Sequence, residues 1–185
     1  MSEHEPVKID AGWKLLARAR SGSEEAWKSL FEQHSPQLLR MAALLIGSTD
    51  AAKDCVQEAF LRVLKGAGRH QNGSFRAYIS TIAYRLALKE NRRVRRLIPA
   101  EGQDATASDP SPLDIAIADE HQREVAQVIR ELPAHHREVL VLRFQGEHSY
   151  EEIARIAGVP LGTVKSRIFH AVKAARSAMK KRGIG

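Results

Sequence analysis

Seven side chains near the C-terminal end, Thr163, Lys165, Ser166, Arg167, His170, Lys173 and Arg176, combine hydrogen-bonding tips with cations and contain no carboxylate. That set suits base edges and phosphate oxygens. Between them Val164, Ile168, Ala171, Val172 and Ala175 recur at i, i+4, i+7, i+8 and i+11, which predicts a helix from about Leu161 with its apolar stripe turned inward. The element in front must fix how that helix is presented. Ser149 and Glu152 form a capping box that starts a shorter helix through Ile153, Ala154 and Ala157, Gly158 supplies the left-handed residue that ends it, and Pro160 forbids continuation. Helix, tight turn and basic helix read as a helix-turn-helix, whose second helix enters the major groove by its N-terminal end. Thr163, Lys165, Ser166 and Arg167 are then candidates for base or near-base contact, and Lys173 and Arg176 for phosphate. The plainer reading is a helical hairpin with a solvated basic face; capping box, glycine stop, proline and basic helix in this order favour the reader of DNA.

The whole chain agrees with a polyanionic partner. Its 185 residues carry 29 Lys and Arg against 22 Asp and Glu, a net charge of +7. Nucleic acid or an anionic membrane surface would satisfy that balance. The opening MSEHEPVKID is polar and acidic, and no apolar run approaches the ~20 residues of a bilayer span, so a soluble, cytoplasmic protein with no membrane contact is expected. One cysteine, Cys55, excludes an internal disulfide and a cysteine zinc cluster, and its place in a helical pattern makes it a small hydrophobe. The histidines are scattered and no metal site or cofactor is expected. No Walker loop, HExxH or GxSxG pattern occurs, so no catalytic residue is expected either.

Read in order, the chain is all-α. Trp13 and Leu16 mark a first amphipathic helix that stops at Gly22; Ser23 caps the next, with Ala26, Trp27, Leu30 and Phe31 as its stripe, and Ser35-Pro36 either restarts or bends it before Leu38 to Ile46. From Asp50, Ala52, Val56, Ala59, Phe60 and Val63 turn inward, leaving Asp54, Gln57, Glu58 and Leu61 outside. That acidic and amide face is no DNA surface; it is either an ordinary solvated face or a protein contact. The glycine-rich connection from Gly66 to Ser74 leads to FRAYISTIAYRLALKENRRVRRL, where Phe75, Ile79, Ile82, Ala83 and Leu86 are expected inside and Arg76, Tyr84, Arg85, Lys89, Arg92 and Arg93 outside. Cations interleaved with Tyr78 and Tyr84 fit single-stranded nucleic acid, where bases stack on rings; a basic helix end with half-buried tyrosines is the alternative. IPAEGQDATASDPSP, residues 98–112, has no apolar period and reads as a flexible linker. It divides a domain at 1–97 from a second at 113–185, in which VLVL (139–142) resembles a buried strand but lies between helical patterns.

These residues carry a family resemblance. DAAKDCVQEAFLRV, FRAYISTIAYRLA and LPAHHREVLVLRFQGEHSYEEIARIAGVPLGTVKSRI, in that order and with a linker between, resemble the segments of a bacterial RNA polymerase sigma factor of the extracytoplasmic-function (ECF) group. The resemblance implies that Asp54, Gln57, Glu58 and Leu61 dock on the β′ clamp helices of core polymerase. It implies that the second domain meets the β flap and the −35 element, and that Arg76, Tyr78, Tyr84, Arg85, Lys89, Arg92 and Arg93 serve the −10 element and melting. It further implies that the 66–74 connection captures a flipped base, that the linker threads through the polymerase, and that an anti-sigma factor restrains the protein. Tyr78 stands where the family commonly has tryptophan, and Arg85 and Lys89 where it often has asparagine and aspartate. These changes add charge near the melted strand and alter the expected −10 preference.

Elementary lengths make the partner necessary. A flexible linker of about fifteen residues spans ~21 Å on average, whereas elements about sixteen base pairs apart lie ~55 Å apart at ~3.4 Å per pair. The two domains are therefore expected to be independent bodies until polymerase holds them in register. An autonomous helix-turn-helix regulator would instead bind its operator unaided, and a sigma-like decoy would not engage DNA at all.

Overall fold

The computed structural model describes residues 10–66, 73–97 and 120–184. Among these residues every regular element is helical, as the periodicity requires. The linker at 98–112, the segment 113–119 and the interior of the 66–74 connection lie outside the described residues.

The first bundle holds α1 (Ala11–Arg20), α2 (Glu24–Ile46), α3 (Thr49–Lys65) and α4 (Phe75–Leu97). Its starts follow from side-chain oxygens: Asp10 accepts from the Gly12 amide, Ser23 from Ala26 and Ser48 from Ala51. The third helix thus begins at Thr49, one residue before the expected Asp50. Nor does Pro36 restart a helix, since α2 runs unbroken through it. The lost amide bond is offset by apolar contacts on both sides, Leu30 before it and Leu38, Met41, Ala42 and Leu45 after it, all at most 2% exposed. α2 is the centre against which α1, α3 and α4 pack. Phe60, Phe75, Leu16, Leu30, Met41, Ile79 and Val63 fill the space between them. Cys55 lies buried in this packing, as its helical setting suggested, and burial pushes its thiol up.

The second bundle holds α5 (Glu120–Glu131), α6 (Ala134–Leu140), α7 (Tyr150–Ala157) and α8 (Leu161–Lys181). VLVL is helical, and α6 widens into a π turn over Val141–Gln145 in which the Gly146 amide reaches back to the Val141 carbonyl at 3.0 Å. Periodicity predicts the helix but not this extra residue in the turn. Gly146 is required there, because a β-carbon would meet His148 Cδ2 at 2.6 Å and the Leu142 carbonyl oxygen at 2.7 Å. The capping box forms on both sides, Glu152 N to Ser149 Oγ at 3.1 Å and Ser149 N to the Glu152 carboxylate at 2.9 Å. Gly158 sits at φ 68° as the left-handed stop. Val128, Leu142, Ile153, Val164 and Ala171 form the centre of this core.

The bundles are not the independent bodies that the linker's length led one to expect. α4 packs on α7, and α2 packs on α5 and the π turn. Tyr84 Oη donates to Glu138 Oε2 of α6 at 2.8 Å. Arg76 lies 3.5 Å from Glu147 and 3.8 Å from Glu152. A flexible tether limits how far two bodies can separate; it does not keep complementary surfaces from meeting.

Candidate nucleic-acid and protein interfaces

On α8 the inward stripe is as its spacing demands, with Val164 and Ala171 fully buried and Ile168 6% exposed. That leaves Lys165, Ser166, His170, Lys173 and Arg176 exposed, and Thr163 and Arg167 half-buried. Ser166 Oγ donates to the Thr163 carbonyl at 3.1 Å, which leaves the hydroxyl oxygen able to accept a further hydrogen bond. Sequence reasoning missed Phe169, which is 66% exposed. It lines a shallow groove with Tyr150 and Val172, rimmed by Lys165, Lys173 and Arg176. Nearby, the Arg143 guanidinium lies 5.7 Å over the Tyr150 ring, and Phe144 is 62% exposed. The signal for Phe169 was available: an aromatic immediately after Ile168 falls off the apolar stripe.

On α4 the seven residues separate into two groups. Arg85, Lys89, Arg92 and Arg93 are exposed, with Arg93 holding Glu90 in a two-pronged pair at 2.7–3.1 Å. Arg76 and Tyr78 are half-buried, the Tyr78 ring 5.0 Å from that of Trp13. Tyr84 was expected outside and is only 4% exposed, covered by the second bundle. The reason is a second stripe: Ser80, Ala83, Tyr84 and Ala87 recur at i, i+3, i+4 and i+7 and are all buried. Mostly small residues make such a stripe weak to a reading that counts large apolar side chains. Burial first, then the Glu138 carboxylate, pushes the Tyr84 phenol well above its ordinary value.

On α3, Asp54, Gln57 and Leu61 are exposed and Glu58 is half-buried, its carboxylate 2.6 Å from Arg62 Nε. They do not form a merely polar face. Leu61 (38% exposed) and Phe31 (40%) border a groove floored by Trp27, Val56, Phe60 and Leu39, and the Trp27, Phe31 and Phe60 rings touch at 4.9–6.3 Å. An apolar groove beside an amide and acidic rim favours a protein contact over a solvated face. A second apolar groove, between the bundles, is lined by Pro36, Leu39, Leu44, Val125, Ala126 and Ile129.

His148 is fully buried beneath the turn before α7, with Nδ1 3.5 Å from the Glu152 carboxylate and no hydrogen-bond partner at Nε2. Burial holds its imidazole below the usual range, against the opposing pull of Glu152 and Glu147 and with the help of Arg76. Among the described residues no group of three or more metal-ligating side chains converges, and no helix is long and apolar enough to cross a membrane.

Comparison with known proteins accounts for both bundles. Residues 30–97 match the Sigma-70 region 2 family and residues 122–174 the Sigma-70, region 4 family. The ECF RNA polymerase sigma factor SigL of Mycobacterium tuberculosis is 30% identical over 177 residues, 91% of this chain and 97% of that protein. The ECF RNA polymerase sigma factor SigE of Mycolicibacterium smegmatis is 33% identical over 147 residues, 77% of this chain, and the match spans 57% of that relative's length. Among solved structures, CnrH in complex with the cytosolic domain of CnrY superposes with a TM-score of 0.66 at 24% identity, over 93% of this chain and 99% of that one, a likeness of fold. On the region matches and the full-length similarity, this chain belongs to the ECF group of RNA polymerase sigma factors.

Proposed function

We propose that the protein binds core RNA polymerase in the cytoplasm, directs it to a class of promoters and helps open the duplex, without covalent chemistry of its own. In this reading the exposed face of α8 (Thr163, Lys165, Ser166, Arg167, His170, Lys173, Arg176) takes the −35 element. The basic face of α4 (Arg76, Tyr78, Tyr84, Arg85, Lys89, Arg92, Arg93) takes the −10 element and the melted strand. Asp54, Gln57, Glu58 and Leu61 dock on the β′ clamp helices, and α5–α8 meet the β flap. The division into 1–97, 98–112 and 113–185 is the one this assignment of roles needs.

The observation that carries the reading is the presence in one chain of both sigma-70 regions, with cations and hydrogen-bonding side chains on the open face of the second helix of the helix-turn-helix. A single reader of this size buries only about 600–1,000 Å² on DNA, so firm promoter binding requires polymerase to supply the second contact. The packing of the bundles adds a condition: Arg76 and Tyr84 are engaged by α6, α7 and the turn before α7, so DNA reaches them only after the bundles part. An anti-sigma factor is a natural partner, since a solved relative is a sigma factor in complex with an anti-sigma factor and the groove between α2 and α5 fits an amphipathic helix.

The test is a gel shift on upstream-element duplexes with and without purified core polymerase. Binding that appears only with core supports the reading. Tight, sequence-specific binding by the chain alone, as a dimer on two half-sites, would support the autonomous regulator instead.

A further inference from the structure

The helix α1 precedes residue 30, where the region 2 match begins, and none of the roles above uses it. It packs mainly on α2, but the side-chain hydrogen bonds it makes to other elements fall on the two ends of one connection. At one end, Trp13 Nε1 donates to the Gly73 carbonyl at 2.9 Å. At the other, Arg20 Nη2 donates to the Val63 carbonyl at 2.5 Å and Nε to the Leu64 carbonyl at 3.1 Å, closing the last turn of α3 just before Gly66. Trp13 and Arg20 are seven helical steps apart, about 10 Å at ~1.5 Å per residue. α1 therefore acts as a rigid spacer between the end of α3 and the start of α4.

The same helix seats an aromatic of the −10 face. Tyr78 lies 5.0 Å ring to ring against Trp13, and its hydroxyl points to Gly66, where a β-carbon would stand 3.7 Å from Tyr78 Oη and 3.8 Å from Arg20 Nη2. Trp13 itself is fixed from behind by the Phe75 ring at 5.3 Å, edge to face. Gly12 lets α1 come this close, since a β-carbon there would meet the Phe75 ring at 2.6 Å. Asp10 locks the first turn by accepting from the Gly12 amide at 2.8 Å. A helix serving only to cover apolar core would need neither an indole N–H aimed at one connection end nor a guanidinium aimed at the other.

We propose that Trp13 and Arg20 are positioning residues for −10 recognition: α1 sets the separation of Gly66 and Gly73 and the orientation of Tyr78, and so sharpens discrimination among melted-strand sequences. The inference rests on the sigma-factor reading. Trp13→Phe keeps a ring against Phe75 and Tyr78 but removes the donor, and Arg20→Gln alters a solvent-exposed side chain, so at least one variant keeps the fold.

Full-length wild-type and variant proteins are assembled with core polymerase and used to select from a single-stranded oligonucleotide pool randomised over six positions. Affinity for core is measured in parallel by competition. Each variant is expected to bind core as wild type does, while the ratio of affinities for the selected motif and the unselected pool falls about threefold to tenfold, the worth of one or two hydrogen bonds. Arg20→Lys, which restores a cationic donor, is expected to recover part of that ratio. Undiminished selectivity in a folded Arg20→Gln or Trp13→Phe protein overturns the inference and leaves the sigma-factor reading standing. A wild-type protein that neither binds core nor selects a motif overturns both.

Discussion

Removing the Tyr84 hydroxyl should loosen the two bundles. The phenol donates to Glu138 Oε2 at 2.8 Å across the interface. A hydrogen bond to a charged acceptor contributes about 1.5–3 kcal/mol. Because Glu138 is half-buried rather than sealed from water, the lower end applies, about 1.5 kcal/mol, a roughly tenfold shift toward the parted state. The Arg76 pairs contribute less: Glu147 is 72% exposed, an exposed pair being worth about 0–1 kcal/mol, and the contact to the less exposed Glu152 is long at 3.8 Å. Tyr84→Phe, Glu138→Ala and the double variant form a cycle, read by single-molecule energy transfer between dyes at Lys65→Cys and Lys180→Cys in a Cys55→Ala background. The single variants should each populate a low-transfer state, and the double should be no more open than the worse single. The phenol's value is raised in the packed state, so the contact is fully present below pH about 10 and is lost as pH rises beyond it. Strictly additive effects, or transfer distributions identical to wild type, would refute the claim that this pair holds the bundles together.

Other consequences follow from the same geometry. Leu61→Asp places a charge in the groove of Trp27, Phe31 and Phe60 and should cost at least about 2 kcal/mol of core-polymerase affinity with an unchanged melting temperature, read by fluorescence competition. Arg167→Ala should lose about 1–3 kcal/mol of discrimination between upstream-element sequences, whereas Lys173→Ala should weaken all sequences alike and reduce the salt slope by about one; gel shifts of the holoenzyme at several salt concentrations separate the two. Burial depresses His148, and burial depresses His34 and His136 in the same direction. Their stabilising contribution is therefore present above the ordinary value of 6.5 and is lost as pH falls below it. His148→Leu, of similar volume, should flatten that acid-side loss in thermal melts between pH 7.5 and 5.5, and a slope equal to wild type would exclude His148 from it.

Much of this molecule is legible in its residues, and the failures are informative. Caps and stops are local, which is why Ser23, Ser149 with Glu152, and Gly158 could be placed from spacing alone. The α8 face followed because a large-residue stripe on one side fixes what lies on the other. Tyr84 was misplaced because its stripe consists of serine and alanines, whose burial depends on a neighbour far along the chain rather than on their own hydropathy. The π turn at Val141–Gln145 escaped because one extra residue in a turn leaves no periodic trace in so short a helix. The aromatic groove beside Leu61 was hidden for a related cause: Trp27, Phe31 and Phe60 were all assigned to inward stripes, although Phe31 is 40% exposed. The meeting of the two bundles lay beyond a tether argument, which bounds distance and says nothing of affinity.

The most direct test of the central claim is run-off transcription from a fragmented genomic template library, with purified core polymerase and this protein as the sole added factor. Discrete transcripts are expected, sharing upstream and downstream motifs at fixed spacing and vanishing when the protein is omitted. No protein-dependent transcript, from a preparation that grips a DNA site tightly without polymerase, would contradict it.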